Sequence, residues 1–151
     1  MSKLLETVVT IAKTQIGVLE EPPGSNRGKQ VNEYLKSVGL GPGFSWCAAF
    51  VYWIYRKAYA GQLAGCPVII TAGVSDHWKR APAKAKITAA QARANPALVR
   101  PGVIGILLLD KYTGAGHTYI VIACNGLNLE TIEGPVQHQT PEHAKELAFL
   151  H

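Results

Sequence analysis

Few residues in this chain could carry out covalent chemistry, and Cys47 is the one best placed to act as a nucleophile. It follows the turn Gly41-Pro42-Gly43, and Ser45 is a fair N-cap for the apolar run beginning at Trp46. Cys47 is therefore expected in the first turn of a helix. There the unpaired backbone N–H groups and the helix dipole favour a thiolate over a thiol, one route by which a cysteine pKa is lowered. The same position would also suit a small buried hydrophobe, the usual fate of a free cysteine. Cys66 precedes a proline in a loop and Cys124 ends an apolar run, so both read as structural. Three cysteines at irregular spacing do not form a disulfide framework and leave at least one thiol unbridged.

Of the five histidines, His117 is the candidate base. It opens a β-forming run directly after Gly114-Ala115-Gly116, so a tight turn would deliver the imidazole onto a rigid strand. An ordinary strand-end histidine fits the same spacing. His138, His143 and His151 lie in a polar tail, and His77 lies in a basic stretch without clear period.

A base of this kind needs an acid to orient it, and the next strand offers Glu130 and Glu133. If the hairpin turned through Asn125-Gly126 alone, position 117 would face 134. The same-face carboxylate would then be Glu130, four residues along and roughly 13 Å away. A three-residue loop or one bulge shifts the register by one and brings Glu133 beside His117. Glu133 is the expected partner, a longer loop or a bulge is the expected device, and Glu130 reads as a solvated strand residue.

No metal site is expected, because His and Cys show no C-x-x-C or H-x-x-x-H spacing, although His138 and His143 are five apart. Neither a phosphate-cradling G-x-x-x-x-G-K-[ST] loop nor a dinucleotide G-x-G-x-x-G motif occurs. A thiol–imidazole reaction calls for no cofactor.

The elements that must position these groups are legible in the periodicity. Apolar residues at Leu4, Leu5, Val8, Ile11, Ala12, Ile16 and Val18 predict a helix over 3–19. Pro22-Pro23-Gly24-Ser25-Asn26 makes a loop, and a second, shorter helix is expected over 31–38. The stretch 46–59 is apolar on nearly every side, which places that helix at the centre of the domain. Residues 61–100 predict short helices and loops over one side. Three short runs, 103–109, 117–124 and 127–133, are rich in β-formers and separated by turn sequences. Helices followed by an antiparallel meander define an α+β domain.

A chain of 151 residues fits one domain with a sizeable core. Hydrophobic content of 48% and charged content of 17% exclude a disordered chain. No segment reaches the ~18 consecutive apolar residues that a spanning helix needs, so no membrane partner is expected. The N-terminus lacks an apolar signal core with a small-residue cleavage site. Synthesis in the cytoplasm without a signal peptide is the resulting expectation. The net charge is +5, with six Lys or Arg and no acid between His77 and Leu109. The basic residues of 79–100 read either as a solvated face or as an attraction for a polyanion. Nucleic acid is disfavoured, since no reading motif or interleaved aromatics accompany the charge.

The motifs together resemble a known family. Gly17-Val18-x-Glu20, Pro23-Gly24-Ser25-Asn26-x-Gly28, Val31, Tyr34-Leu35 and Val38-Gly39-Leu40 lead to Trp46-Cys47-Ala48-Ala49-Phe50-Val51-x-Trp53. Later come Pro101-Gly102-x-Ile104-Gly105, Gly116-His117-Thr118 and Thr131-Ile132-Glu133-Gly134. This pattern resembles the CHAP family, the cysteine- and histidine-dependent amidohydrolases/peptidases related to papain and to the NlpC/P60 enzymes. The resemblance is strongest over about residues 5–134 of a single domain spanning 1–151, and leaves 136–151 as an unplaced tail.

The resemblance implies a papain-like α+β fold, with Cys on a central buried helix packed on an antiparallel sheet carrying His and Glu. It implies hydrolysis of peptidoglycan, at N-acetylmuramoyl-L-alanine amide bonds or at peptide bonds of stem or cross-bridge. Cys47 would be the nucleophile, His117 the base and then the acid, and Glu133 its orienting group. The oxyanion would meet the Cys47 backbone N–H. Trp46, Trp78 and Tyr119 are candidates for the substrate groove, although Trp46 and Tyr119 equally suit plain packing. Peptidoglycan peptide is the expected partner, with anionic wall polymers as a further partner of the 79–100 stretch. The chain is expected to be a monomer that reaches the wall after release or by non-classical export. The sequence departs from the family at Pro135, where Asn is frequent, at Val103, where Asp is frequent, and at Tyr119, usually a small residue. Pro135 and the unplaced tail leave a catalytically impaired wall-binding module as the alternative reading.

Overall fold

In the computed structural model, the described residues are 2–60, 66, 68–108, 116–126, 128–134, 137–143 and 148–150. Helix α1 (Lys3–Thr14) starts at Ser2, whose hydroxyl accepts the Leu5 N–H at 3.3 Å. It buries Leu5, Val8 and Ala12, but stops short of the expected 19. The Gln15 N–H turns back to the Ala12 carbonyl, and Gly17 adopts φ 97, which ends the helix. Ile16 is left 47% exposed, so its place in the apolar spacing did not mark a core face.

Helix α2 (Lys29–Ser37) buries Val31, Tyr34 and Leu35, and α3 (Cys47–Ala58) is buried along most of its length. Tyr34 clamps the two together. Its ring lies 5.6 Å from Trp46, 5.1 Å from Phe50 and 5.2 Å from Trp53, centroid to centroid. Such aromatic pairs each contribute about 0.5–1.5 kcal/mol beyond their buried area. The expected N-cap of α3 was Ser45. The cap is instead Trp46, with no side-chain hydrogen bond, and this makes Cys47 the first helical residue.

Residues 61–100 do contain short helices and loops: α4 (Val74–Arg80), α5 (Ala89–Ala94) and two single 3₁₀ turns. Thr88 and Gln91 form a reciprocal capping box at the start of α5. A two-residue strand, β1 (Lys86–Ile87), was not foreseen.

The remaining strands are β2 (Ile104–Leu108), β3 (Gly116–Asn125), β4 (Asn128–Glu133), β5 (Gln137–His143) and β6 (Ala148–Leu150). The three expected runs are all strands, and the tail adds two more. The sheet order is β1-β6-β2-β3-β4-β5, antiparallel throughout. The architecture is therefore α+β, with helices packed on an antiparallel sheet. Both faces are covered. Ile104, Ile106, Ile120, Ile132 and Leu150 join the core of α1, α2 and α3, while Val121, Tyr119, Phe149, Leu129 and Ala92 form a second core. The alternation along β3 divides the two. No helix among the described residues is long and apolar enough to cross a membrane.

Candidate active site

Three elements converge on one small cleft: the start of α3, the start of β3 and the end of β4. The β3–β4 register decides which carboxylate arrives there. Asn125 pairs with Asn128, and Ile120 pairs with Ile132, with a one-residue shift between Val121 and Ala123. The extra residue is Ile122, a bulge on β3 of the kind expected. The hairpin also closes one residue later than an Asn125-Gly126 turn would. The net result sets position 119 opposite 133, so by strand alternation His117 and Glu133 share a face. Their side chains meet, with His117 Nε2 3.4 Å from Glu133 Oε1, and they are 29% and 14% exposed. Glu130 sits opposite Ala123, up the hairpin from the cleft.

Glu133 is itself held. The Thr131 hydroxyl donates to Glu133 Oε2 at 3.1 Å, and Thr131 is fully buried. Sequence reasoning passed over Thr131, although a Thr-x-Glu spacing on a strand places a hydroxyl beside the carboxylate.

On the other side of His117 is the Cys47 thiol, hydrogen-bonded to the imidazole and to the backbone of Thr118 and Ala48. Burial pushes the thiol up, but the His117 hydrogen bond and charge, with those backbone contacts, outweigh it and hold Cys47 below the ordinary thiol range. His117 moves the opposite way, up to about 10, through its hydrogen bonds to Cys47 and then to Glu133, against the effect of burial. The arrangement is a thiol–imidazole–carboxyl row in which the thiol is lowered and the imidazole raised. Cys66 and Cys124 are instead pushed up by burial.

The cleft has a volume of about 140 Å³, and Glu20, Asn26 and Ser45 give it polar walls around Cys47 and His117. Gly116 and Gly134 also line it, and neither could carry a side chain. A Cβ would lie 2.6 Å from the Leu107 carbonyl at Gly116, and 2.6 Å from the Trp46 indole at Gly134.

The groove candidates fall in different places. Trp46 reaches the cleft, but is only 4% exposed, and its Nε1–H donates to Glu20 Oε1 at 2.8 Å. Trp78 does not line the cleft; it is half-buried on α4 with the Lys86 ammonium 5.2 Å from its ring centre. Tyr119 is buried in the second core, with its ring where a Gly105 side chain would be. Gly105 and Tyr119 are cross-strand partners, so the large residue at 119 is accommodated by the missing one at 105.

In the 79–100 stretch, Arg80 pairs with Asp76 at 2.9 Å and Lys86 lies over Trp78. His77 is buried, and that burial pushes its imidazole down to about 4. Among the described residues no group of three His, Cys, Asp or Glu could hold a metal ion. Pro135, His151 and the side chains of His138 and His143 lie outside what is described.

An α+β domain with a helix-borne thiol facing a strand-borne imidazole and carboxylate defines a class of site built for thiol chemistry. The CHAP domain model matches residues 39–135, more than half of the chain, and the chain belongs to the CHAP domain family. CHAP domains are generally hydrolases of the cysteine peptidase/amidase type, and membership suggests a peptidoglycan hydrolase or amidase/peptidase function. No curated protein and no solved structure matched this chain.

Proposed function

We propose that this chain is a peptidoglycan hydrolase that cleaves an amide bond through Cys47, His117 and Glu133, in a papain-like arrangement. The bond is either the N-acetylmuramoyl-L-alanine amide or a peptide bond of stem or cross-bridge. The observation that carries the reading is the placement of His117 between Cys47, which shares its cleft, and the Glu133 carboxylate 3.4 Å away.

With Nε2 turned to Glu133, Nδ1 is the nitrogen left for the thiol. His117 holds the Cys47 proton, and the thiolate attacks the substrate carbonyl. The developing oxyanion accepts from the Cys47 backbone N–H at the free start of α3. His117 then protonates the departing amine, and the acyl group stays on sulfur. In the second step His117 takes a proton from water, and the hydroxide formed releases the acid. Glu133, braced by Thr131, keeps the ring oriented and offsets its positive charge throughout. The chain acts as a single catalytic domain over 1–151 and as a monomer.

Purified peptidoglycan incubated with the wild type and with Cys47→Ala tests this, read by turbidity and by mass spectra of soluble fragments. Fragments from the wild type alone are expected, and their masses name the bond. If neither protein releases fragments from several wall types, the hydrolase reading is wrong and a wall-binding module on the same fold replaces it.

A further inference from the structure

A second concavity, separate from the Cys47 cleft, opens between the C-terminal halves of α2 and α3. It encloses about 590 Å³, well within the range of small-ligand sites. Trp53 supplies its aromatic surface, and Lys36, Arg56, Lys57, Glu33 and Ser37 surround it. The Lys57 ammonium stands 5.3 Å from the centre of the indole. From the core side Tyr34 meets Trp53 edge-on, with centroids 5.2 Å apart, so the half-buried indole is pinned. Ten residues of α3 separate Cys47 from Lys57, about 15 Å along the axis. A ligand here would leave the cleft free.

Lys36, Arg56 and Lys57 stand in the last turns of their helices, where cations complement the helix dipole. That role accounts for the charges, but it requires neither a cavity nor an indole within it. Three cations against one carboxylate select an anion. An indole face attracts the polarised C–H bonds of a sugar ring, and Glu33 and Ser37 offer partners for sugar hydroxyls. A nucleic-acid strand fits less well, since there is one aromatic instead of a series and Glu33 would repel phosphates.

We propose that this groove binds an acidic glycan. A sugar ring lies on Trp53 in place of the Lys57 ammonium, and its carboxylate or phosphate is taken by Lys57, Arg56 and Lys36.

The test is calorimetric titration of the full chain at low salt with defined probes. A hyaluronan oligosaccharide supplies carboxylates and a phosphomannan oligosaccharide supplies phosphates. A chito-oligosaccharide is the neutral control, while inorganic polyphosphate and oligo(dT) are polyanions of other kinds. At least one acidic glycan is expected to bind at least tenfold more tightly than all three controls, and which one binds distinguishes carboxylate from phosphate. Reversing two exposed charges in Arg56→Glu/Lys57→Glu is expected to weaken binding roughly thirtyfold, with the fold retained and the melting temperature lowered by no more than a few degrees as the helix-end cations are lost. Trp53→Leu, if it folds, should weaken it about tenfold. The proposal is overturned if neither acidic glycan binds, if any control binds equally well, or if the charge-reversed protein binds like the wild type. None of these outcomes depends on hydrolysis at Cys47.

Discussion

Titrating the Cys47–His117 pair probes the site most directly. In an unfolded chain the two groups have their ordinary values of 9.0 and 6.5. In the fold Cys47 is lowered, because His117 outweighs burial, and His117 is pushed up to about 10 by Cys47 and then Glu133. A raised histidine stabilises fully below its unfolded value and loses that contribution as pH climbs through its folded one; a lowered thiol does the reverse. Between pH 6.5 and 9.0 the raised histidine loses stabilisation as pH climbs while the lowered thiol gains it, so the two contributions oppose each other. Above 9.0 the unfolded pair holds none while the folded pair keeps the His117 proton to about 10. About 1.4 kcal/mol is lost over that single pH step. On the acid side the lowered thiol decides: its stabilisation, fully present above 9.0, is lost as pH falls through the folded Cys47 value.

The wild-type urea midpoint is therefore expected to fall as pH climbs from 9.0 to about 10, and to fall on the acid side as Cys47 takes up its proton. In Cys47→Ala the largest raising contact of His117 is gone. The opposing thiol is gone with it, so the decline begins at about 6.5. Site-resolved alkylation with iodoacetamide gives the second readout. The Cys47 rate should level off at a lower pH than those of Cys66 and Cys124, which, pushed up by burial, gain about tenfold per pH step. A Cys47 rate that rises with pH in step with those of Cys66 and Cys124, with no difference between the two stability curves, refutes the ion pair and the reasoning built on it.

Three substitutions extend the test. Glu133→Gln removes the charge that holds the imidazolium, and turnover on peptidoglycan should fall about a hundredfold, with the His117 resonance titrating lower by NMR. An unchanged rate removes Glu133 from the site. Tyr55→Phe deletes a hydroxyl that donates to the Gly102 carbonyl at 2.5 Å in the core. A loss of about 1–3 kcal/mol should appear in urea denaturation, with activity per folded molecule retained. Gly105→Ala would place a Cβ 2.1 Å from the Tyr119 ring, costing about 1–3 kcal/mol. Combining it with Tyr119→Val should recover much of that loss, and simple additivity of the two changes would contradict their direct packing.

Much of the site was readable because its signals are local. The all-round apolar pattern of 46–59 forces α3 to the centre, and the glycines before His117 set it at the start of a strand. The choice of Glu133 over Glu130 was also reachable, since strand alternation leaves only one carboxylate within range once the register shifts. Tertiary structure alone decided how that shift is divided. The Asn125–Asn128 closure and the Ile122 bulge depend on how both strands bury Ile120 and Ile132 on one face and Val121 on the other. No window of sequence contains that pairing.

The same reason separates the other outcomes. Trp46 could be placed at the head of α3 from its neighbours, but its bond to Glu20 spans 26 residues and follows only from the way the loop after α1 folds over the cleft. Residues 137–143 and 148–150 carry no strong alternating pattern, yet both pair into the sheet, and β6 inserts between β1 and β2. Trp78 was legible as an aromatic, not as the floor for Lys86. Local periodicity and turn chemistry determined the helices, the central strands and the positions of Cys47 and His117. Register, long-range pairing and side-chain partners were left to the fold, because each is set by free energy shared between segments distant in the chain.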